Sequence, residues 1–460
     1  MPRLTGPLLA LAVDRGRPLG LQIERQLREL IRSGGLRPAG TLPSTRALAA
    51  DLGVSRGVVV GAYAQLAAEG YIVLGRSVAP TVAALAREHD DAAAEIDVPV
   101  ASVQFNLRPD LPDLALFPRA PWNAASRVAL ERAANTDLAY GEPFGASALR
   151  HRLAPFLART RGVDARHDRT GVFAGSSHAL FVLAAALRAG GVTRIAVEDP
   201  GHRWRTRVLR SAGLDVVPVP VDRDGLNVGV LPDDVAAVVV SPDHHFPTGV
   251  TLAPGRRRAL VDWAVSGDRL VLEHDYDGHF RYDRPPAGAL QALAPEHVAY
   301  VGGASALLAP TLRLGWAVVP ARLVIPMANA VFGSAIASPR LSQLALAELI
   351  GNGQLDRQLR RARTAYRKRR ALAYASLGRA FPEAEIGGAP TGLFLHVALP
   401  RGADEAALLA AARAGGLALD GVNEHAESPQ PPGLAVGFAA TPEPTLERAI
   451  RTLGRIARDL

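Results

Sequence analysis

Between residues 21 and 32, Ile23, Leu27, Leu30 and Ile31 recur at three- and four-residue intervals, which predicts an amphipathic helix. Gly34 and Gly35 end it, and Pro38 and Gly40 mark a turn. Ser44 is placed to cap a second helix over residues 45–52, with Leu48, Ala49 and Leu52 facing inward. Gly53 allows a tight turn, Ser55 is placed to cap a third helix, and Gly70 stops it. On that helix Val58, Ala62 and Leu66 repeat every four residues and are the expected buried face. Residues 71–82 read as two short strands with a turn at residues 75–79, a wing beside the helices. The pattern then fades: residues 84–104 lack a clean period, carry an acidic cluster and read as a linker. From residue 105 onward, Val/Ile-rich runs at 194–197, 215–221, 235–241, 270–273 and 297–301 alternate with helical stretches. Short apolar strands between helices predict a mostly parallel sheet covered on both faces. Residues 404–415 are Ala-rich and read as a helix, and no internal repeat is present.

Composition narrows the class. A chain of 460 residues is long enough for two or three domains. No apolar run reaches the roughly 20 residues of a membrane span. The patch at residues 8–13 is shorter still, and neither a signal peptide nor a membrane partner is expected. With no cysteine, disulfides and thiolate metal sites are excluded, no metal is expected, and a cytoplasmic location fits. The net charge is +8, and Lys368 is the sole lysine. High-GC codon usage accounts for the arginine-to-lysine ratio. It does not account for clustering: residues 1–83 hold ten arginines against five acids, which points to nucleic acid as the partner.

The predicted caps leave Ser44, Arg46, Ser55, Arg56 and Gly57 near exposed helix N-termini, where backbone N–H groups and arginines suit phosphates and base edges. The pieces "LRPAGTLPS", "LPSTRALAADLGVSR" and "AYAQLAAEGY" resemble the winged helix-turn-helix of GntR-type regulators. The resemblance implies DNA contacts by Arg46 and Arg56. A helical pair used only for dimerisation is the competing reading, but caps, turn glycine and arginines agree on a reader. The wing departs from the family's Gly-Ser-Gly-Thr turn, reading Arg76-Ser77-Val78-Ala79-Pro80-Thr81, with Arg76 as its candidate contact.

Further on, "PDLALFPRAPW", "YGEPFGASALRHRLAPFLARTRGV", "GSSHAL", "VEDPGH", "SPDHHFPTGVTL", "EHDYDGHFRY", "LAPTLRLGWAVVP" and "RQLRRARTAYRKRRAL" resemble the MocR/GabR subfamily, in which a GntR-type reader is fused to a fold type I aminotransferase-like domain. The resemblance implies a multi-domain protein. An α+β winged helix-turn-helix (residues 1–83) and a linker (84–104) precede an α/β aminotransferase-like domain (105–460). That domain has a large subdomain at about 140–345 and a smaller C-terminal α+β subdomain at about 346–460. The chemistry departs from the family. The pyridoxal-phosphate lysine lies seven residues before the arginine of "LRLG"; that position is Ala306, and alanine forms no imine. His274 stands where an aspartate normally holds the pyridine nitrogen, while Tyr276 keeps the position that meets the ring hydroxyl. Asp275 is one residue off and should face the other side of its strand. His202 falls at the ring-stacking position, and the substrate-carboxylate arginine would fall near Ala435. The phosphate end is better kept: Ser176 and Ser177 follow Gly175 at a helix start, and Ser305 and Arg313 match phosphate-side positions, although Gly303 replaces a hydroxyl residue. For Arg313 a structural ion pair is an equal alternative.

The expectation is therefore a transcription regulator that binds a double-stranded DNA operator as a homodimer. Its large domain would bind a small-molecule effector, with no covalent cofactor; pyridoxal phosphate or a related phosphate ligand would be held non-covalently. An active aminotransferase, or a large domain serving only as a dimerisation scaffold, are the alternatives.

Overall fold

The computed structural model describes residue 9 and residues 11–75, 78–83, 103–283 and 288–460. The chain divides into two compact units, Met1–Val100 and Ala101–Leu460. Arg76, Ser77 and residues 84–102 of the expected linker lie outside the described residues.

In the first unit, α1 (Leu19–Arg32), α2 (Thr45–Asp51) and α3 (Arg56–Ala68) precede β1 (Ile72–Gly75) and β2 (Val78–Val82). α1 buries Ile23, Leu27 and Ile31, as its period predicts. The Ser44 hydroxyl accepts a hydrogen bond from the Ala47 N–H at 3.1 Å, a true N-cap. Ser55 holds the corresponding place before α3 with an extended backbone, yet its side chain makes no cap bond. Gly53, at φ +61°, supplies the left-handed turn between the two helices. The buried face of α3 is Val59, Ala62, Tyr63 and Leu66 rather than the stripe through Val58, which is only half-buried. Four-residue steps drift around a 3.6-residue helix, whereas alternating three- and one-residue steps stay centred on one face. Tyr63 fixes that choice by donating its hydroxyl to the Pro43 carbonyl at 2.9 Å. β1 and β2 pair antiparallel, Ile72 opposite Val82, and Gly75, Val78 and Ala79, expected in the turn, belong to the strands, with Gly75 opposite Val78.

The second unit is built on an eight-stranded sheet of order β4-β11-β10-β9-β8-β5-β6-β7. It begins with β3 (Phe105–Asn106), α4 (Arg119–Arg132), α5 (Ser147–Arg161), β4 (Thr170–Phe173), α6 (Ser176–Ala189), β5 (Arg194–Asp199), α7 (Arg203–Ser211), β6 (Asp215–Asp222) and β7 (Gly225–Leu226). Next come β8 (Ala237–Val240), α8 (Pro254–Ser266), β9 (Leu270–Asp275), β10 (Val298–Gly303), β11 (Gly315–Val318), α9 (Val324–Ser334), α10 (Arg340–Gly351) and the long α11 (Gln354–Ala380). The strands β10, β9, β8, β5 and β6 run parallel, β11 and β7 run against them, and β4, antiparallel to β11, shares the direction of the five. The central strands β8 and β9 are buried along their whole length, as continuous apolar runs predict.

A smaller antiparallel sheet, of order β12-β13-β16-β15, closes the unit. It uses β12 (Glu385–Gly387), β13 (Phe394–Ala398), β15 (Asp420–Gly421) and β16 (Gly433–Gly437), with α12 (Glu405–Ala414) and α13 (Glu443–Arg458) alongside. β14 (Leu417–Ala418) pairs in parallel with β3, so residue 105 is stitched to the C-terminal part of the chain. The sequence pattern gave no sign of this pairing.

Candidate effector cleft and DNA-reading face

The C-terminal end of β9 reads Glu273-His274-Asp275-Tyr276, and strand alternation sends His274 and Asp275 into different polar networks. On one side Asp275 accepts from Arg161 Nε at 2.5 Å, from the Tyr300 hydroxyl at 2.6 Å and from the Gly278 N–H at 2.9 Å. Burial opposes its charge, but Arg161 and the other donors hold its carboxyl down at about 2. Arg161 also pairs with Asp243, anchoring the end of α5 to the loops after β8 and β9. Glu273, on that same side, accepts the Leu290 and Gln291 N–H groups at 3.0 Å, and burial pushes its carboxyl up to about 7.

On the other side lies a network that arginine-rich composition concealed. Arg205, three residues into α7, donates from Nη2 to His274 Nδ1 at 2.8 Å and to Ser241 Oγ at 2.5 Å, and from Nη1 to Glu198 at 3.2 Å. Glu198, near the end of β5, also accepts the Ser241 N–H at 3.0 Å, and burial pushes its carboxyl up to about 7 against the pull of Arg205. Burial, then the Arg205 charge, drive His274 well below its ordinary value, so it is neutral. A glutamate at a strand end with an arginine seven residues on was the available signal; neither residue was singled out from the sequence.

Around His274 the aromatic rings are ordered. His202 stacks on Phe246 with centroids 3.9 Å apart and stands edge-on to Tyr276 at 5.2 Å. Tyr276 lies nearly parallel to His274 at 5.7 Å, and its hydroxyl is 3.3 Å from His244 Nδ1, which also contacts Asp277 at 2.8 Å. His202 Nε2, His244 Nε2, His274 Nε2, Arg205 Nε and Asp277 Oδ1 are buried with no hydrogen-bond partner. Each such group costs about 1–3 kcal/mol, a cost that a bound ligand or water would relieve; His244, His274, Tyr276 and Asp277 line one small cavity. Ala435, where a substrate-binding arginine was looked for, packs with Phe246 and Phe394.

The anion end of the cleft sits at the start of α6. Gly175, at φ +95°, turns the chain so that Ser176 and Ser177 open the helix, and both are half-buried. Gly315 on β11 is packed so closely that a Cβ would lie 2.3 Å from the Gly175 carbonyl carbon, so only glycine brings the two backbones together. Gly303, ending β10, faces the same point: a Cβ there would be 3.8 Å from the Ser176 nitrogen. Ser305 follows it, half-buried. Arg313 has a left-handed backbone (φ +50°), with its carbonyl accepting from Ser338 Oγ at 3.1 Å and its guanidinium carbon 3.7 Å from where a Gly175 Cβ would stand. It is exposed and forms no ion pair with a described residue, which disfavours the purely structural reading. Ala306, just beyond, is buried in the main apolar cluster. Lys368 is exposed on α11.

In the first unit Ser44, Arg46, Ser55, Arg56 and Gly57 are all exposed. Arg56 Nε reaches Thr45 Oγ1 at 3.5 Å, so the starts of α2 and α3 are adjacent. Neither Arg46 nor Arg56 forms an ion pair with a described residue. Among the described residues no group of three or more metal-ligating side chains occurs, and no helix is long and apolar enough to cross a membrane.

Comparison with known proteins agrees with both halves. Residues 19–82 match the model for bacterial regulatory proteins of the gntR family, and residues 113–453 match aminotransferase class I and II. This chain belongs to the MocR/GabR-type transcription regulators. It is 33% identical over 377 residues to the HTH-type pyridoxine biosynthesis transcriptional regulator PdxR of Corynebacterium glutamicum, covering 80% of this chain and 82% of that protein. It is 29% identical over 477 residues to the probable rhizopine catabolism regulatory protein MocR of Rhizobium meliloti, covering 97% and 95%. The second unit resembles the crystal structure of an archaeal alanine:glyoxylate aminotransferase, with TM-score 0.72, 22% identity and coverage of 77% of this chain and 91% of that one, a likeness of fold.

Do the cleft residues fit pyridoxal phosphate? The helix start, the serines and Arg313 suit its phosphate, and the unpartnered ring-side groups suit a polar aromatic ligand. Nothing in the described cleft supplies an amine for a covalent link.

Proposed function

We propose that this regulator reads DNA with the paired starts of α2 and α3, and responds to a phosphate-bearing small molecule held reversibly in the cleft of its second unit. Arg46 and Arg56 are the principal DNA contacts, Ser44, Ser55 and Gly57 frame them, and Arg76 is a further candidate contact from the sequence alone. Ser176, Ser177, Ser305 and Arg313 take the phosphate; His202, His274 and Tyr276 surround the ring. Pyridoxal phosphate or a related vitamer is the first candidate, in keeping with the pyridoxine-biosynthesis role in the name of the Corynebacterium relative. The carrying observation is the pairing of a retained anion cradle with Ala306 in the apolar core and the sole lysine exposed on another helix. The cleft then recognises without transaminating, and the regulator acts in the cytoplasm.

The partner for dimerisation is a second copy. Leu138 and Tyr140, and Phe332, Ile336 and Leu341, present exposed apolar side chains. The Arg340–Asp137 ion pair at 2.8 Å draws these two segments together into one patch.

Titration with pyridoxal phosphate followed by borohydride tests the cleft. Saturable binding with no reduced adduct on the protein is expected. A protein-linked reduced cofactor, or amino-group exchange by the pure protein, would overturn the reading in favour of an enzyme; no binding would leave a dimerisation scaffold.

A further inference from the structure

The neutral histidine beside a buried guanidinium has a fixed polarity. A guanidinium only donates hydrogen bonds, so His274 Nδ1, 2.8 Å from Arg205 Nη2, must accept. The single proton of the neutral imidazole therefore sits on Nε2, which is buried and has no partner. Ser241 cannot reverse this arrangement. Its hydroxyl donates to the His274 carbonyl at 3.1 Å while accepting from Arg205 at 2.5 Å. The cleft thus offers an uncharged N–H where a carboxylate would offer a charged acceptor, and a permanent cation stands directly behind it. His274 and Tyr276 lie nearly parallel with His202 across them, so the donor sits among ring faces suited to a flat ligand.

We propose that His274, held by Arg205, is a ligand-binding donor that selects phosphate-bearing aromatic ligands carrying a bare ring lone pair and rejects those with a cationic ring nitrogen. This rests on the effector-site reading above and adds the protonation state of the ligand. A ring N–H cation would meet one N–H head-on and feel the Arg205 charge, whereas a bare nitrogen accepts from Nε2 and satisfies it.

Three probes on the full-length protein test this by calorimetry at about pH 7.5: pyridin-3-ylmethyl phosphate, benzyl phosphate and the N-methylpyridinium analogue of the first. The pyridine probe should bind tightest, by roughly fivefold to a hundredfold over each of the others. Equal affinities, or preference for the methylated probe, would overturn the donor role and leave the anion cradle standing. Failure of all three to bind would overturn the effector site itself, and this proposal with it. In His274→Asp the order should invert, the methylated probe becoming the best ligand. That inversion separates contact with the ring from mere support of the fold, and the series on the unaltered protein decides the matter even if the variant does not fold.

Discussion

The two halves of this regulator place their polar side chains in opposite ways. In the reader, Ser44, Arg46, Ser55, Arg56 and Gly57 are all in water at the starts of two helices. At the end of β9, by contrast, Arg161 with Asp275, and Arg205 with Glu198 and His274, are buried and bonded in two separate networks. The exposed arginines of the reader form no ion pair with a described residue, so binding and stability are separable at them, whereas Ser44 also caps α2. A buried network carries both at once, since each bond that orients a recognition group also compensates for burying it.

Acid should separate the halves most. Residues 1–83 contain no histidine. In the second unit burial lowers His178, His202, His245, His274, His279 and His396, with His245 at about 3 and His279 and His396 at about 4. A lowered folded value gives stability that is present above the unfolded value near 6.5 and is lost as pH falls toward the folded one. Glu198 and Glu273, raised to about 7, work the other way, gaining stability as pH drops from 7 toward 4.5, as do the raised carboxyls of Asp110 and Asp277, but the six histidines outnumber these four. Denaturant midpoints of the second unit should therefore fall between pH 7 and 5 while those of the reader stay level; parallel shifts would break the contrast.

Among substitutions, Arg205→Met should cost most, about 3–5 kcal/mol in urea unfolding, because it strands Glu198 in the interior. The loss should grow as pH rises above about 7, where Glu198 of the parent gives up its proton to pair with Arg205. Arg56→Ala or Arg46→Ala should instead weaken operator binding by about 1–3 kcal/mol in gel shifts, with stability within about 0.5 kcal/mol of the parent. Unchanged affinity in both variants would remove the reader assignment. The smallest effect is a contrast inside the reader. Ser44→Ala should lose about 1 kcal/mol of stability. Ser55→Ala should lose distinctly less, because only Ser44 makes a cap bond.

Legibility followed the same divide. Helix starts, turn glycines and the wing were readable because local backbone demands fix residue types at fixed offsets. The slip at Val58 came from stepping by four along a helix whose buried face is settled by Tyr63 reaching Pro43, a contact between elements. Strand runs and the glycine turn that opens α6 were readable for similar local reasons. Separation of His274 and Asp275 onto different faces followed from strand alternation alone. Arg205 and Arg161 were not found, since one arginine among many says nothing of its burial. Asp275, the partner of Arg161, comes from a distant part of the chain, and Glu198, seven residues before Arg205, meets it only once β5 and α7 fold back on each other. Phe246 as the stacking partner of His202 was equally non-local.

The short pairing of β3 with β14 ties the start of the second unit to its C-terminal part. Gln104 and Phe105 donate to the Gly416 carbonyl, Leu107 donates to that of Ala418, and Thr441 holds the Asn106 carbonyl, so the chain enters the second unit clamped to its C-terminal lobe. The lobe is also tied to the cleft rim, where Asp199 accepts from Glu427 and Ser428 and Gly201 donates to His425. A ligand that tilted this lobe would carry the first described residues of the second unit with it, as a hand on a bell-rope moves a clapper it never touches.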